Sequence, residues 1–198
     1  GLEKAEYIMQ IGRVNLRKNQ IASFLGTRNL EYPIVFIFTE YSPEYMKVLI
    51  KAIETSKRKN KIYFVTSIKG ERFSNDVTVI ESEIDDQLLV SAYQNAGLHL
   101  HPAFYECPGY TYLEAAKLGI ATVGSSWSTE REYLSNSEGE FDFHEGFEFV
   151  RPDDIDAIEA ASKKMFGKTF TRPDLPIFKR TDEDVKKDMG ALVDQYMC

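Results

Sequence analysis

HPAFYECPGYTYLEAAKLG, residues 101–119, sets the reading of the whole chain. It describes the end of a strand, a tight loop and the start of a helix. LHLH, residues 98–101, is extended in character, and Pro102 ends it. Pro108 and Gly109 make a turn. Residues 110–118 have helical composition, with Gly119 as the stop. Two carboxylates flank the helix start. Pro108 disfavours helix at Cys107, so Glu106 belongs to the loop. Glu114 lies about 7.5 Å along the helix axis at 1.5 Å per residue. Between them are the open N–H groups of a helix N-terminus, which suit a phosphate. Two carboxylates around such a site suit a phosphorylated, hydroxyl-rich ligand such as a nucleotide sugar.

Outward from this stretch, strands alternate with helices. Residues 7–12 (YIMQIG) read as a buried strand, followed by a loop carrying Arg13 and Lys18 and a helix over 19–28. Residues 33–39 (PIVFIFT) are a strand, and Ser42-Pro43 opens a helix running to Lys59, with Ser42 as its cap. Strands follow over 61–67 and 77–80, then a helix from Asp85. Residues 120–124 (IATVG) form the next strand. A short helix is expected over 129–134, irregular or short strand structure over 141–150, and a helix over 153–166. A connector over 169–180 precedes a last helix that begins at Thr181. The strands are continuously apolar, which indicates a parallel sheet covered on both faces, an α/β Rossmann-like architecture. Ligands on such sheets bind beyond the carboxyl ends of the strands, where Arg13 and Glu106 both fall.

The chain has 198 residues, 43% of them hydrophobic and 28% charged, enough for one sizeable core. No apolar run is long enough to span a membrane. Cys107 and Cys198 are the only cysteines, which fits a reducing, cytoplasmic setting and offers no cysteine metal site. The net charge of −7 is uneven: residues 1–72 carry 13 Lys and Arg against 7 Asp and Glu, residues 73–198 carry 11 against 24. Nucleic acid is therefore excluded as a partner of the whole chain. The basic first part suits an anionic ligand or a lipid surface, or is a solvated helix face, as at Lys57, Arg58, Lys59 and Lys61. The chain opens at Gly1 without Met and reads as a fragment of a longer protein.

Glu106 and Glu114 enclose seven residues, with Gly109 three after the first and Leu113-Glu114-Ala115 then Gly119 after it. This resembles the Glu-x7-Glu segment of retaining GT-B glycosyltransferases, the group that includes glycogen and sucrose synthases. Gly12-Arg13 followed by Lys18 resembles the Gly-Arg-x4-Lys signature of the same group. The resemblance runs over residues 7–166 and implies the C-terminal, donor-binding half of a GT-B fold. Residues 1–180 would form the Rossmann-like nucleotide-sugar domain. Residues 181–198 would be a helix packing towards an acceptor domain that precedes Gly1.

The resemblance also implies roles. Arg13 and Lys18 would hold the donor diphosphate, the Arg as a planar fork and the Lys as a mobile point charge, so that no metal is needed. Glu106 would be catalytic, beside the reacting carbon of the donor hexose. Glu114 would take the ribose hydroxyls, and Gly109, Tyr110 and Thr111 would offer N–H groups to phosphate. The sequence departs from the family at Pro108, which lacks an N–H where many members have Phe or Cys. The implied reaction is retaining sugar transfer from a nucleotide diphosphate-sugar, with peripheral membrane association open for the full-length enzyme. Each residue keeps a plainer reading: loop cations in water for Arg13 and Lys18, a carboxylate on turn N–H groups for Glu106, an ordinary helix glutamate for Glu114.

Other residues weigh less. His99 and His101 are expected on opposite faces of their strand and structural, with His101 nearer the crevice. His144 is expected at the surface, Cys107 as an inert thiol, and Trp127 in the pocket wall or the core. The strand pair at 61–67 and 77–80 suggests an insertion at 68–76. No dinucleotide or P-loop glycine pattern occurs. Two rival functions stand beside the enzyme: a non-catalytic nucleotide- or sugar-binding module, and a flavodoxin-like signalling or scaffold domain.

Overall fold

A computed structural model of the chain describes residues 7–56, 58, 60–106, 109–128 and 146–170. Cys107, Pro108, His144, Cys198, the expected helices at 129–134 and from Thr181, and the connector beyond 170 lie outside the described residues. Seven strands form one sheet in which every described pairing is parallel: β1 (Ile8–Ile11), β2 (Ile34–Phe38), β3 (Ile62–Thr66), β4 (Thr78–Glu81), β5 (Leu98–His101), β6 (Thr122–Ser125) and β7 (Phe147–Val150). Their order is β4-β3-β2-β1-β5-β6-β7. The helices are α1 (Gln20–Gly26), α2 (Pro43–Thr55), α3 (Asp86–Asn95), α4 (Tyr110–Leu118) and α5 (Ile155–Met165).

Continuous apolarity in the strands has a direct cause here. Successive side chains of β2 point into two different cores: Ile34, Phe36 and Phe38 into one, Val35 and Ile37 into the other. The first core holds Phe24 of α1, Leu49 of α2 and Ile158 of α5; the second holds Tyr93 of α3 and Ala115 of α4. Two helical layers therefore sandwich the sheet. Gly26 lets α1 lie against α5, since a Cβ there would come within 2.4 Å of Ile158 Cγ2.

Helix ends follow the expected signals with two corrections. Asp85 caps α3 by accepting from Leu88 N at 2.7 Å, and Gly119 ends α4 in the left-handed region. Ser42 occupies the cap position of α2, but its hydroxyl donates to Glu44 Oε2 at 3.3 Å and caps no N–H. The same helix stops at Thr55, not Lys59, because Ser56 turns extended. The segment at 68–76 is anchored by Phe73, whose ring meets Phe64 and Phe38 edge-on at 5.3 and 5.9 Å.

Chain direction across the sheet reverses between β1 and β5: β2 to β4 lie on one side of β1, and β5 to β7 on the other. The loops leaving β1 and β5 therefore lie at the switch point of the strand order, at the carboxyl edge where such sheets bind ligands. No helix among the described residues is long and apolar enough to cross a membrane.

Candidate functional site

The loop after β1 is shaped to turn a lysine inward. Gly12 has φ of 123°, and a Cβ there would stand 3.3 Å from Lys18 Cε, so both backbone and space call for glycine. Asn15 accepts the Lys18 N–H at 3.0 Å and starts a short 3-10 turn over Leu16–Lys18. Gln10 donates to the Lys18 carbonyl at 2.6 Å, and Gln20 donates to the Arg13 carbonyl at 3.0 Å. Asn19, at φ of 58°, donates through Nδ2 to the carbonyls of Pro102 (3.0 Å) and Pro152 (2.8 Å). One side chain thus fastens the β1 loop to the loops following β5 and β7. Phe104 N–H donates to the Arg17 carbonyl at 2.9 Å and closes the seam.

Across that seam, Lys18 Nζ lies 2.6 Å from Glu106 Oε1, and His101 Nε2 lies 3.2 Å from the same oxygen. The cluster is buried: Lys18 is 8% exposed, Glu106 3% and His101 0%. Burial alone would raise the Glu106 carboxyl, but the His101 hydrogen bond and the Lys18 ammonium outweigh it and hold Glu106 below the ordinary carboxylate range. Burial foremost holds His101 below the usual histidine range, with Glu106 pulling the other way. His99 is held well below it for the same first reason. Neutral His101 then donates from Nε2 to the carboxylate. Tyr112 of α4 fixes the strand end: its hydroxyl donates to the His101 carbonyl and accepts from Ser125 N at 3.1 Å.

The fold brings some predicted residues together and keeps others apart. Lys18 and Glu106 meet directly at the switch point. Lys18 is a buried, paired ammonium and not the mobile loop cation expected. Arg13 stands apart, its side chain 57% exposed, with Nη1 3.4 Å from Glu40. Gly109 takes the N-cap position of α4, and Tyr110 and Thr111 begin its first turn at the helix end where N–H groups lack i−4 acceptors, while Tyr112 N–H already donates to the Gly109 carbonyl at 3.0 Å. Glu114 faces sideways towards α3, where Oε2 accepts from Tyr93 Oη at 2.8 Å. It lines a groove of about 400 Å³ with Asp86, Leu89, Val90 and Lys117. Trp127 is half exposed, with Phe104 at 5.9 Å and the Arg151 guanidinium 5.9 Å over its ring.

His99 and His101 are not on opposite faces. Residues two apart on a strand share a face, and the rings stack 5.6 Å apart. No group of metal-ligating side chains occurs among the described residues. The alternation rule, applied correctly, finds that shared face. Two partnerships carry no sequence signal: His101 reaching back to Glu106 across the Pro102 turn, and Tyr93 holding Glu114. A cavity of about 430 Å³ lined by Gly97, Gly119, Ile120 and Gly167 lies at the start of β5 and the end of α4, away from the Glu106 end of the sheet.

No protein-family model matches the chain, and no curated protein matches it in sequence. Solved structures do match it in shape. Sucrose-phosphate synthase from Thermosynechococcus elongatus superposes with a TM-score of 0.62 at 17% identity, over 97% of this chain and 46% of that one. The C-terminal domain of the group 1 glycosyltransferase LpcC from Francisella tularensis gives 0.57 at 15% identity, over 82% and 76%. The fold is that of a GT-B C-terminal domain. The catalytic domain of cholesterol-α-glucosyltransferase from Helicobacter pylori gives 0.53 at 17% identity, over 81% of this chain and 86% of that one. At these identities the likeness of the GT-B half-domains to this chain is one of architecture, and its chemistry rests on its own residues.

Proposed function

We propose that the chain is the donor-binding domain of a retaining glycosyltransferase that takes its sugar from a nucleotide diphosphate-sugar. The observation that carries this reading is the buried Lys18–Glu106 pair at the β1/β5 switch point, beside the open first turn of α4. Diphosphate would lie on the α4 N-terminus, met by the N–H groups of Gly109, Tyr110 and Thr111 and by the cations Arg13 and Lys18. Those cations would supply the charge that offsets the leaving phosphate, so no metal is called for. Glu106 would face the reacting carbon and favour the positive charge that develops as the glycosyl bond breaks. Glu114, held by Tyr93, would accept from the ribose hydroxyls. The acceptor would come on a preceding domain, and this chain alone would bind donor without transferring it. A cytoplasmic enzyme, with or without a peripheral hold on membrane, fits the basic first third of the sequence.

A thermal-shift panel of UDP, GDP, ADP and their sugars tests the reading. At least one should stabilise the chain. Arg13→Ala should weaken that ligand by roughly 10- to 150-fold, from about 1.5–3 kcal/mol for a hydrogen bond to a charged group. No stabilisation by any nucleotide, or unchanged affinity in folded Arg13→Ala, would refute it.

A further inference from the structure

Glu114 is an exposed glutamate in the second turn of α4, and a free glutamate loses rotamer entropy when it settles on a ligand. Lys117, also exposed, lines the same groove three residues on, at a spacing where helix side chains pair. Yet among the described residues Glu114 makes no ion pair. Its Oε2 instead accepts from Tyr93 Oη at 2.8 Å. We propose that Tyr93 is a positioning residue for the nucleotide: its hydroxyl holds the Glu114 carboxylate ready for the two ribose hydroxyls of a nucleoside diphosphate, and so sets a preference for ribose. This rests on the donor-binding reading and adds to it a residue that acts through another.

The geometry equips Tyr93 for this task. It is 1% exposed, with its ring in the core between the sheet and α3 and α4, edge-on to His99 at 5.5 Å. A ring so enclosed fixes where its hydroxyl stands. Burial foremost, and then the Glu114 carboxylate, push the phenol well above its ordinary range, so it stays a proton donor. The same hydroxyl lies 3.3 Å from the Thr111 carbonyl. Thr111 belongs to the first turn, where the diphosphate is proposed to lie, and Glu114 follows about 4.5 Å along the axis at 1.5 Å per residue. One fixed donor therefore ties the carboxylate for the ribose to the turn for the phosphate. Each carboxylate oxygen has two lone pairs. A single bond from Tyr93 leaves both oxygens able to accept from the ribose.

Loss of the hydroxyl frees the carboxylate without emptying the core. In Tyr93→Phe the ring keeps its packing, and Glu114 turns to water or to Lys117. The loss falls on ligands that carry ribose hydroxyls and spares those that lack them. A tie that merely joined α3 to α4 would act on both kinds of ligand alike.

Titration calorimetry with UDP, GDP and ADP, each beside its 2′,3′-dideoxy form, makes this comparison. In the wild type the ribonucleotide that binds should be preferred over its dideoxy form by about 10-fold or more, as for a hydrogen bond to a charged group. Glu114→Ala should abolish that preference. Tyr93→Phe should lose most of it through the ribonucleotide, with the dideoxy affinity held within about 2-fold, the scatter of independent sites. Tyr93→Met takes its place if the Phe variant does not fold. A second measurement needs no ligand: in urea unfolding, the midpoint shifts of Tyr93→Phe and Glu114→Ala should sum to more than the double variant shows. A ribose preference that survives Tyr93→Phe while Glu114→Ala abolishes it, an equal loss for both forms of the nucleotide, or additive midpoint shifts overturns the proposal and leaves the donor reading standing. Binding of none of the three diphosphates overturns the donor reading and the proposal with it. A preference that Glu114→Ala leaves intact removes Glu114 from the ribose, and the proposal falls there too.

Discussion

Lys18→Met removes the ammonium and keeps the aliphatic stem under Gly12, so its cost isolates the charge. At the observed 2.6 Å, two unit charges attract by about 6 kcal/mol at an effective dielectric constant near 20. Desolvation of both ions returns several kcal/mol of that, so the intact pair contributes little net stability to the fold. Removing one partner is different, because it leaves the other charge buried; the expected loss is about 3–5 kcal/mol. That is a large share of a total stability of roughly 5–15 kcal/mol. Glu106→Gln should also destabilise, by stranding the ammonium. The double variant should lose much less than the two singles added together, with a coupling of about 2 kcal/mol or more. Urea unfolding of the four proteins, with slopes checked for constancy, measures each term. A Lys18→Met cost below about 1 kcal/mol, or additive singles, would refute a buried, coupled pair.

Three further outcomes follow from the same frame. Asn19→Ala should cost about 2–4 kcal/mol, since it strands the carbonyls of Pro102 and Pro152 and puts alanine at φ of 58°; Asn19→Gly should recover only the backbone part, and equal urea midpoints for the two variants would remove the strain component. Gly26→Ala should cost about 1–3 kcal/mol by overpacking Ile158, whose Cγ2 would lie 2.4 Å from the new methyl, and thermal melts should show Ile158→Ala and Gly26→Ala to be less than additive together. His99 and His101 are both held below the usual histidine range by burial, so the unfolded chain takes up protons first: stability should hold above about pH 6.5 and fall below it by up to about 1.4 kcal/mol per pH unit for each ring. The depressed Glu106 adds a second loss only below about pH 4.3, as pH falls towards its folded value. His99→Gln should flatten the first slope in urea midpoints, and a wild-type profile level down to about pH 5 would contradict it.

The fold was legible because its signals are local and repeated. Five apolar residues in a row at 34–38 can be buried on both faces only in a covered sheet, and the alternation of such runs with helical patterns makes that sheet parallel. Helix ends were less legible where a side chain had a choice: Ser42 gives its hydroxyl to Glu44, which no spacing rule anticipates. At the site, the residue types were found but not their state. Lys18 reads as a loop cation because lysines are seldom buried. Its burial is created by Gly12, the Asn15 cap and the Asn19 clasp acting together. The His99 and His101 faces were legible from the two-residue period, and the expectation of opposite faces misapplied it.

Arg13 and Lys18 stand five residues apart in one signature, yet their surroundings give them different physical tasks. Arg13 sits 3.4 Å from a Glu40 side chain that is 65% exposed, an arrangement worth about 0–1 kcal/mol, so it can turn to an arriving anion at almost no cost. Lys18 can turn only by leaving a buried carboxylate, at a cost several times larger. In the proposed reading a diphosphate would therefore meet Arg13 and the α4 N-terminus first, and Lys18 second. Only a ligand whose phosphate lies deep enough to compete with Glu106 would draw Lys18 across. Shallow anions such as inorganic phosphate should then depend on Arg13 and be indifferent to Lys18, whereas a nucleotide sugar should depend on both. Comparing inorganic phosphate and a bound donor sugar on Arg13→Ala and Lys18→Met separates the two tasks. Equal dependence of both ligands on both cations would mean that Lys18 is as available as Arg13, and that its burial does not order the binding steps.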